Sequence, residues 1–519
     1  MSIQPNTHTI SSGDIPVDTP DNSIGRSAPF LIKFLEDYVC IPCGVSPKVK
    51  RIFYLSSVWI ITFICYASFH LSRKPTSVVK GTLRPKCVQP NIPVNTSNGT
   101  NDSIICFPGW APFDGDDGNT LLGSLDYSFL FSYAIAMFFS GHIGDRVPLR
   151  YFLTVGMIGS GLMACLFGAG YFFNIHVIEY YLAVQIVGGM FQSTGWPGVV
   201  AVMNHWFGRG YRGFLLGIWN VHTSVGNILG SVIPGIWADT DWGWSFISAG
   251  LIIIVCGVLV FLTLVSNPDQ VDLPPPTHNK PPEDPENDLT PLIKPATSTQ
   301  AIGFFNAFLI PGVLEYSFSL FFGKLVSYTF LFWLPLYIQN TQIGGKTYNG
   351  MVSADLSTVY DVGGIIGGIT GGLLSDIFNS RSIVCVTMYY LAIPCLFAYL
   401  KLGYISLPFN MGLMCLCGIL VNGPYGLITT AVTADLGTHP SLRDNTNAKA
   451  TVTAIIDGTG SIGAALGPLL AGWVSGYGWN YVFYIQMGSC SLAAILLSRL
   501  VIKDIIEFAT YLYKKLLIF

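Results

Sequence analysis

Twelve apolar runs, at residues 52–78, 121–140, 151–173, 178–203, 213–237, 244–265, 308–338, 352–374, 382–400, 407–432, 448–474 and 479–502, take up most of this chain and constrain its fold more than any other feature. Inside hydrocarbon a backbone N–H or C=O finds no water, so an apolar run of about 20 residues must close its hydrogen bonds within itself as a helix. The sequence therefore predicts an all-α membrane protein with twelve transmembrane helices. Only 11% of the residues are charged, against roughly 25% in a soluble domain. A net charge of -3 with no basic cluster argues against nucleic acid as a partner. The lipid bilayer is the partner that the composition requires.

The runs fall into two sets of six. Gly141, Asp145 and Arg150 follow the second run, and Gly372, Asp376 and Arg381 follow the eighth at the same spacing, 231 positions further on. Likewise Gly226-Asn-Ile-Leu-Gly230 in the fifth run is answered by Gly463-Ala-Ala-Leu-Gly467-Pro468 in the eleventh. Such doubling predicts two homologous, parallel halves, the build of a transporter that rocks about a central site. Small residues at these spacings predict close helix approach. The chain thus divides into a disordered cytosolic tail (1–47), an N-terminal half (48–265), a proline- and acid-rich cytosolic linker (266–300), a C-terminal half (301–503) and a cytosolic C-terminal tail (504–519). The apolar patch from Phe30 to Tyr38 is short and broken by charge, unlike a signal peptide.

Lysine and arginine gather on alternate short loops and near both ends: Lys48, Lys50 and Arg51, then Arg146 and Arg150, Arg209 and Arg212, Arg381, Arg443, and Lys503, Lys514 and Lys515. By the positive-inside rule these loops and both termini are cytosolic. The first connection, 75–119, then lies on the other side, and it alone holds N-x-S/T sequons, at Asn95, Asn98 and Asn101. Glycans are expected there, and Cys87 and Cys106 in the same loop are free to pair as a disulfide in an oxidising compartment. The other cysteines lie mostly scattered through apolar runs without metal-ligand spacing, so neither a metal nor another cofactor is expected.

A Lys or Arg at mid-membrane costs several kcal/mol unless it meets water or a partner, which makes each one a functional candidate. In the first run Tyr66, His70 and Arg73 share one helix face, with Lys74 one turn beyond His70. Two adjacent cations point to an anion; the competing possibility is a snorkelling pair at the outer helix end, since Pro75 follows at once. In the seventh run Lys324 stands mid-helix, with Tyr328 one turn above it. The buried acids Asp126, Asp361 and Asp457 suit neutralising partners, with Asp361 and Asp457 as the charge-pairing candidates. His222, mid-span in the fifth run, suits packing or ligand binding equally. With no Ser-His-Asp set, phosphate loop or His/Cys cluster, an enzyme is not expected.

Arg212-Gly213, Trp219-Asn220 and Val225-Gly226 resemble the signature of the organophosphate:phosphate antiporters of the major facilitator superfamily. The similarity extends through Gly195-Trp196-Pro197, Gly141 to Arg150, Trp333-Leu-Pro335-Leu-Tyr337 and Asp361 to Asp376. Around His70-Leu-Ser-Arg73-Lys74-Pro75, Lys324-Leu-Val-Ser327-Tyr328 and Asp457-Gly-Thr-Gly the chain resembles eukaryotic sugar phosphate exchangers of the glucose-6-phosphate transporter group. The resemblance implies a monomer that exchanges inorganic phosphate for a sugar phosphate, glucose 6-phosphate foremost, across the endoplasmic reticulum membrane; plasma membrane and lysosome are the alternatives. It implies that Arg73 binds substrate phosphate with Lys74 beside it, and that Asp361 pairs with that lysine. It also implies that Asn220, His222 and Thr223 belong to the site, Thr223 standing where the family has histidine. Ser327 takes the place of the family's second arginine, and Lys324 is expected to supply its charge. Asp145, Arg146, Arg150, Asp376 and Arg381 resemble the gating motif that latches the halves in one state. Two other functions fit the composition: a proton-coupled transporter of a sugar or other metabolite using Asp126, Asp361 or Asp457, and a non-transporting membrane sensor.

Overall fold

The computed structural model describes residues 28–33, 46–88, 105–144, 146–207, 218–274, 310–436 and 448–518. Among them, nine helices are long and apolar enough to cross a membrane. The fourth, fifth and eighth runs complete the twelve-span architecture as Ile178–Gln192 continued by Gly195–Trp206, His222–Gly235, and Gly350–Ile377. The halves meet where the second span (Gly118–Gly144) lies along the eleventh (Ala448–Ser475) and the fifth along the eighth. The first and seventh spans face each other at the centre.

Glycine sets these distances. A Cβ at Gly226 would stand 2.3 Å from the Ala67 carbonyl oxygen, and one at Gly467 would stand 2.4 Å from that of Leu325. The fifth span can therefore press against the first, and the eleventh against the seventh, in the same way in each half. Each half has its own apolar core. A further cluster joins Val79, Leu83 and Leu125 of the first half to Phe332, Trp333 and Ala464 of the second, sealing the two together at one end of the bundle.

Four boundaries differ from the sequence expectation. Pro75 has no N–H to give the Leu71 carbonyl, so the Lys74 N–H donates there instead and the helix Pro47–Arg73 pauses. Proline is at home in a first helical turn, and Pro75–Leu83 carries the span onward. The outer connection thus begins at Arg84 and not at Pro75, and it holds a two-stranded ribbon, Lys86–Val88 against Ile105–Phe107, in which Cys87 stands opposite Cys106. Ala28 and Ile32 are buried in the first half's core, so part of the expected free tail is docked. Val271 and Leu273 join that core too, which moves the linker's start past Ser266. The last helix runs unbroken from Trp479 to Ile518, through the segment read as a separate tail, because no proline interrupts it after Trp479.

Candidate functional site

Between the halves lies a cavity, open to solvent and lined by residues of both halves. Its walls run from Leu331 in the seventh span to Ile369 in the eighth and Thr429 in the tenth. It therefore opens toward the end that carries the 144–149 and 377–381 loops. Helix faces at Gly141, Gly368 and Gly372 have free space around them there.

The opposite end is shut by bonds between the halves. Lys74 Nζ and Ser77 Oγ both donate to the Leu331 carbonyl, at 2.8 and 2.9 Å. Asp239 caps the eighth span, accepting from the Gly350 and Met351 N–H groups at 2.8 and 2.9 Å. Lys80, placed by sequence in the outer loop, is buried: it pairs with Asp126, donates to the Phe332 carbonyl at 3.0 Å and lies 4.2 Å over the Trp333 ring. The isolated acid at Asp126 was the signal that a cation had to be near.

The first half supplies the wall of Tyr66, His70, Tyr133, Trp196, Asn220, Thr223 and Asn227. Arg73 stands behind it, 4% exposed. The fourth span breaks at Ser193, and Gln192 at that break accepts from Arg73 Nη2 at 2.9 Å while its own amide donates to Ser72 at 2.7 Å. The guanidinium carbon is 5.4 Å from the centre of the Tyr133 ring, a cation–π contact. Arg73 Nε has no hydrogen-bond partner, and among the described residues no carboxylate pairs with this arginine. Burial of both Arg73 and Lys74 corrects the snorkelling alternative.

Two expectations change, at His222 and at the Lys74–Asp361 pair. His222 is off the cavity wall: its ring packs edge-on against Trp219 and Tyr66, with centroids 4.4 and 4.7 Å away, so it props Tyr66 while Asn220 and Thr223 face the cavity. Lys74 and Asp361 are electrostatic neighbours but not a contact pair, because Lys74 is spent on the Leu331 carbonyl and Asp361 Oδ1 accepts from Asn227 Nδ2 at 3.0 Å. That bond fixes the Asn227 amide, since a carboxylate only accepts. Asn227 Oδ1 then faces His70 Nδ1 at 3.2 Å, which places the ring proton on Nδ1. Lys324 has Asp457, one of the two charge-pairing candidates, as its partner: it donates to Asp457 Oδ1 at 2.8 Å and lies 5.6 Å from the centre of the Tyr425 ring.

Lys324, Asp457, Tyr328, Ser327 and Asn422 all line the cavity. Asn227, Gln192 and Asn422 were missed from sequence, although uncharged amides inside apolar runs carry the same message as charges, that something polar must meet them. Lys324→Ala is expected to leave Asp457 without its cation beside the cavity and so to weaken binding of an anion there by about tenfold or more. Lys324→Ala with Asp457→Asn, which removes both charges, should recover less than half of that loss if the lysine also touches substrate. Full recovery in a concentration series would show a purely structural pair.

Arg381, Asp376 and Arg150 make contacts within their own halves. Arg381 pairs with Asp376 at 2.6 Å and with Asp435 at 3.3 Å, tying the eighth and ninth spans to the end of the tenth. Arg150 packs over Tyr151 and Phe261 at 5.1 and 6.0 Å. Arg146 is exposed at the open end. Asp145 and the sequons Asn95, Asn98 and Asn101 lie outside the described residues, as do the side chains of Cys87 and Cys106.

The profile of the Major Facilitator Superfamily matches residues 116–443. The chain is 50% identical over 472 residues to the mouse (Mus musculus) glucose-6-phosphate exchanger SLC37A2, covering 87% of this chain and 93% of the relative. It is 47% identical over 479 residues to the putative glycerol-3-phosphate transporter 1 of Arabidopsis thaliana, covering 89% and 90%. Among solved structures it is similar to a D-xylose-proton symporter, with a TM-score of 0.59 at 12% identity over 86% of this chain and 97% of that one. At so low an identity the likeness shows the fold alone.

Proposed function

Because the chain belongs to the organophosphate:phosphate antiporters of the major facilitator superfamily, we propose that it exchanges inorganic phosphate for a sugar phosphate, glucose 6-phosphate foremost, by alternating access. Arg73 carries this reading. A guanidinium so deeply buried with only neutral partners among the described residues is costly, and an anion entering from the cavity removes the cost. Its planar fork suits phosphate oxygens, which it can bind in pairs. Tyr66, His70, Tyr328, Asn220 and Thr223 would then bound the substrate, with Lys74 and Lys324 adding charge from either half and His222 holding Tyr66. An empty site with uncompensated charge resists closing on itself, and bound phosphate lifts that resistance, so one-for-one exchange follows.

The test is uptake into phosphate-loaded proteoliposomes offered a panel of external sugar phosphates. Glucose 6-phosphate is expected to enter only when phosphate is inside, and a protonophore should leave the rate unchanged. Uptake without internal phosphate that collapses with the protonophore would instead establish proton coupling. The three acids available for that role already have partners: Asp126 with Lys80, Asp457 with Lys324 and Asp361 with Asn227.

The proposed setting is a monomer in the endoplasmic reticulum membrane with both termini cytosolic, so that the cavity described above opens to the cytosol. Glycosidase treatment should then increase the protein's mobility, and a triple Asn95, Asn98 and Asn101→Gln variant should show no such shift. Cleavage of the 84–117 connection by protease added to the cytosolic face of sealed vesicles would reverse this orientation.

A further inference from the structure

One patch of the cavity wall carries neither a cation nor a carboxylate. Ser327 lies one helical turn beyond Lys324, about 4.5 Å along the axis, and its hydroxyl donates to Asn422 Oδ1 across to the tenth span. The Asn422 amide nitrogen rests against Gly364, where an added Cβ would stand 2.9 Å from it. The Tyr360 hydroxyl is buried beside Ser327. All four residues line the cavity.

Chemistry tells what such a patch can hold. Phosphate presents mainly acceptor oxygens, which can meet the Asn422 amide N–H but are repelled by the lone pairs of Asn422 Oδ1 and Ser327 Oγ. A sugar hydroxyl both donates and accepts, and it matches a wall that offers both. Lys324 is one turn away and Arg73 stands behind the wall of the other half, so a phosphate drawn toward those cations leaves the rest of an organophosphate over this patch.

Resting on the exchange function proposed above, we infer that the Ser327–Asn422 pair is the specificity element of the site, reading the hydroxyls of the sugar so that a sugar phosphate is favoured over bare phosphate. Its loss should cost the sugar phosphate more than phosphate, because a site built to bond a hydroxyl discriminates through that bond.

The experiment compares Asn422→Ala and Ser327→Ala with wild type in phosphate-loaded proteoliposomes, using external glucose 6-phosphate and external inorganic phosphate as the two substrates. The ratio of uptake efficiencies, glucose 6-phosphate over phosphate, is expected to fall about tenfold in each variant. A deoxy analogue of glucose 6-phosphate lacking the hydroxyl that is read should lose less than the parent compound. Equal losses for both substrates, or an unchanged ratio in both variants, would overturn the assignment, since a structural role moves both substrates together. If Asn422→Ala does not fold, Ser327→Ala alone decides, because it removes one oxygen and little volume. Failure of wild type itself to take up any sugar phosphate would instead refute the function on which the inference rests, so the two failures are told apart.

Discussion

Arg73→Ala is expected to lower phosphate exchange by more than about a hundredfold in a protein that still folds and inserts. Most truncations of so buried a side chain destabilise, but here the native state carries a charge that no described carboxylate balances. Removing the charge forfeits the Gln192 bond and the Tyr133 contact, while it also removes the desolvation penalty of the guanidinium. The two changes oppose each other, so the melting temperature in detergent should move little. What disappears is stabilisation by ligand: phosphate should raise the melting temperature of wild type and leave that of Arg73→Ala where it was. Arg73→Lys keeps the charge without the fork and should retain little exchange, because a point charge holds phosphate in a looser geometry. Near-normal exchange by well-expressed Arg73→Ala would sink both the site and the function built on it.

Spans, doubling and the central cations were legible in the sequence because each rests on local physics. An apolar run specifies a helix by itself, and a buried charge advertises a site by its cost. Partners were not legible, since they depend on which helices meet. Nothing near Lys324 in the chain says that Asp457 will reach it from the eleventh span, or that Lys74 will turn to the Leu331 carbonyl and leave Asp361 to Asn227. Proline misled in a definite way. Pro75 was read as a helix end, but it opens a new helical segment, and this moved Lys80 from a loop into the seal between the halves. His222 misled through spacing: position on a helix gives an angle, while the packing of Trp219 and Tyr66 around it decides whether that angle faces water.

Breaking the Lys80–Asp126 pair from one side should do the largest damage to stability. Lys80 and Asp126 are 1% and 0% exposed, so Lys80→Ala strands a carboxylate whose Oδ1 already has no partner, at a cost of about 3–5 kcal/mol. The melting temperature should fall by more than about 5 °C, and exchange should fall with it. The paired change Lys80→Met with Asp126→Leu removes both charges and should restore most of the melting temperature, as apolar replacement of buried pairs often does. Exchange should not return with it. Lys80 and Asp126 both ride on the first half, whereas the Phe332 carbonyl and the Trp333 ring belong to the second; rocking must therefore part Lys80 from Phe332 and Trp333 while Asp126 stays with it. Without the lysine, the seal loses one of its ties and the population shifts toward the state open at that end. A cysteine placed at Thr82, which bonds the Ala238 carbonyl within the first half beside the seal, should then react faster with an impermeant thiol reagent in the double variant than in a protein with Lys80 and Asp126 intact. Equal labelling rates together with wild-type exchange in the double variant would reduce Lys80 to a neutralising partner for Asp126 and leave the closing of that end to Lys74, Ser77 and Asp239.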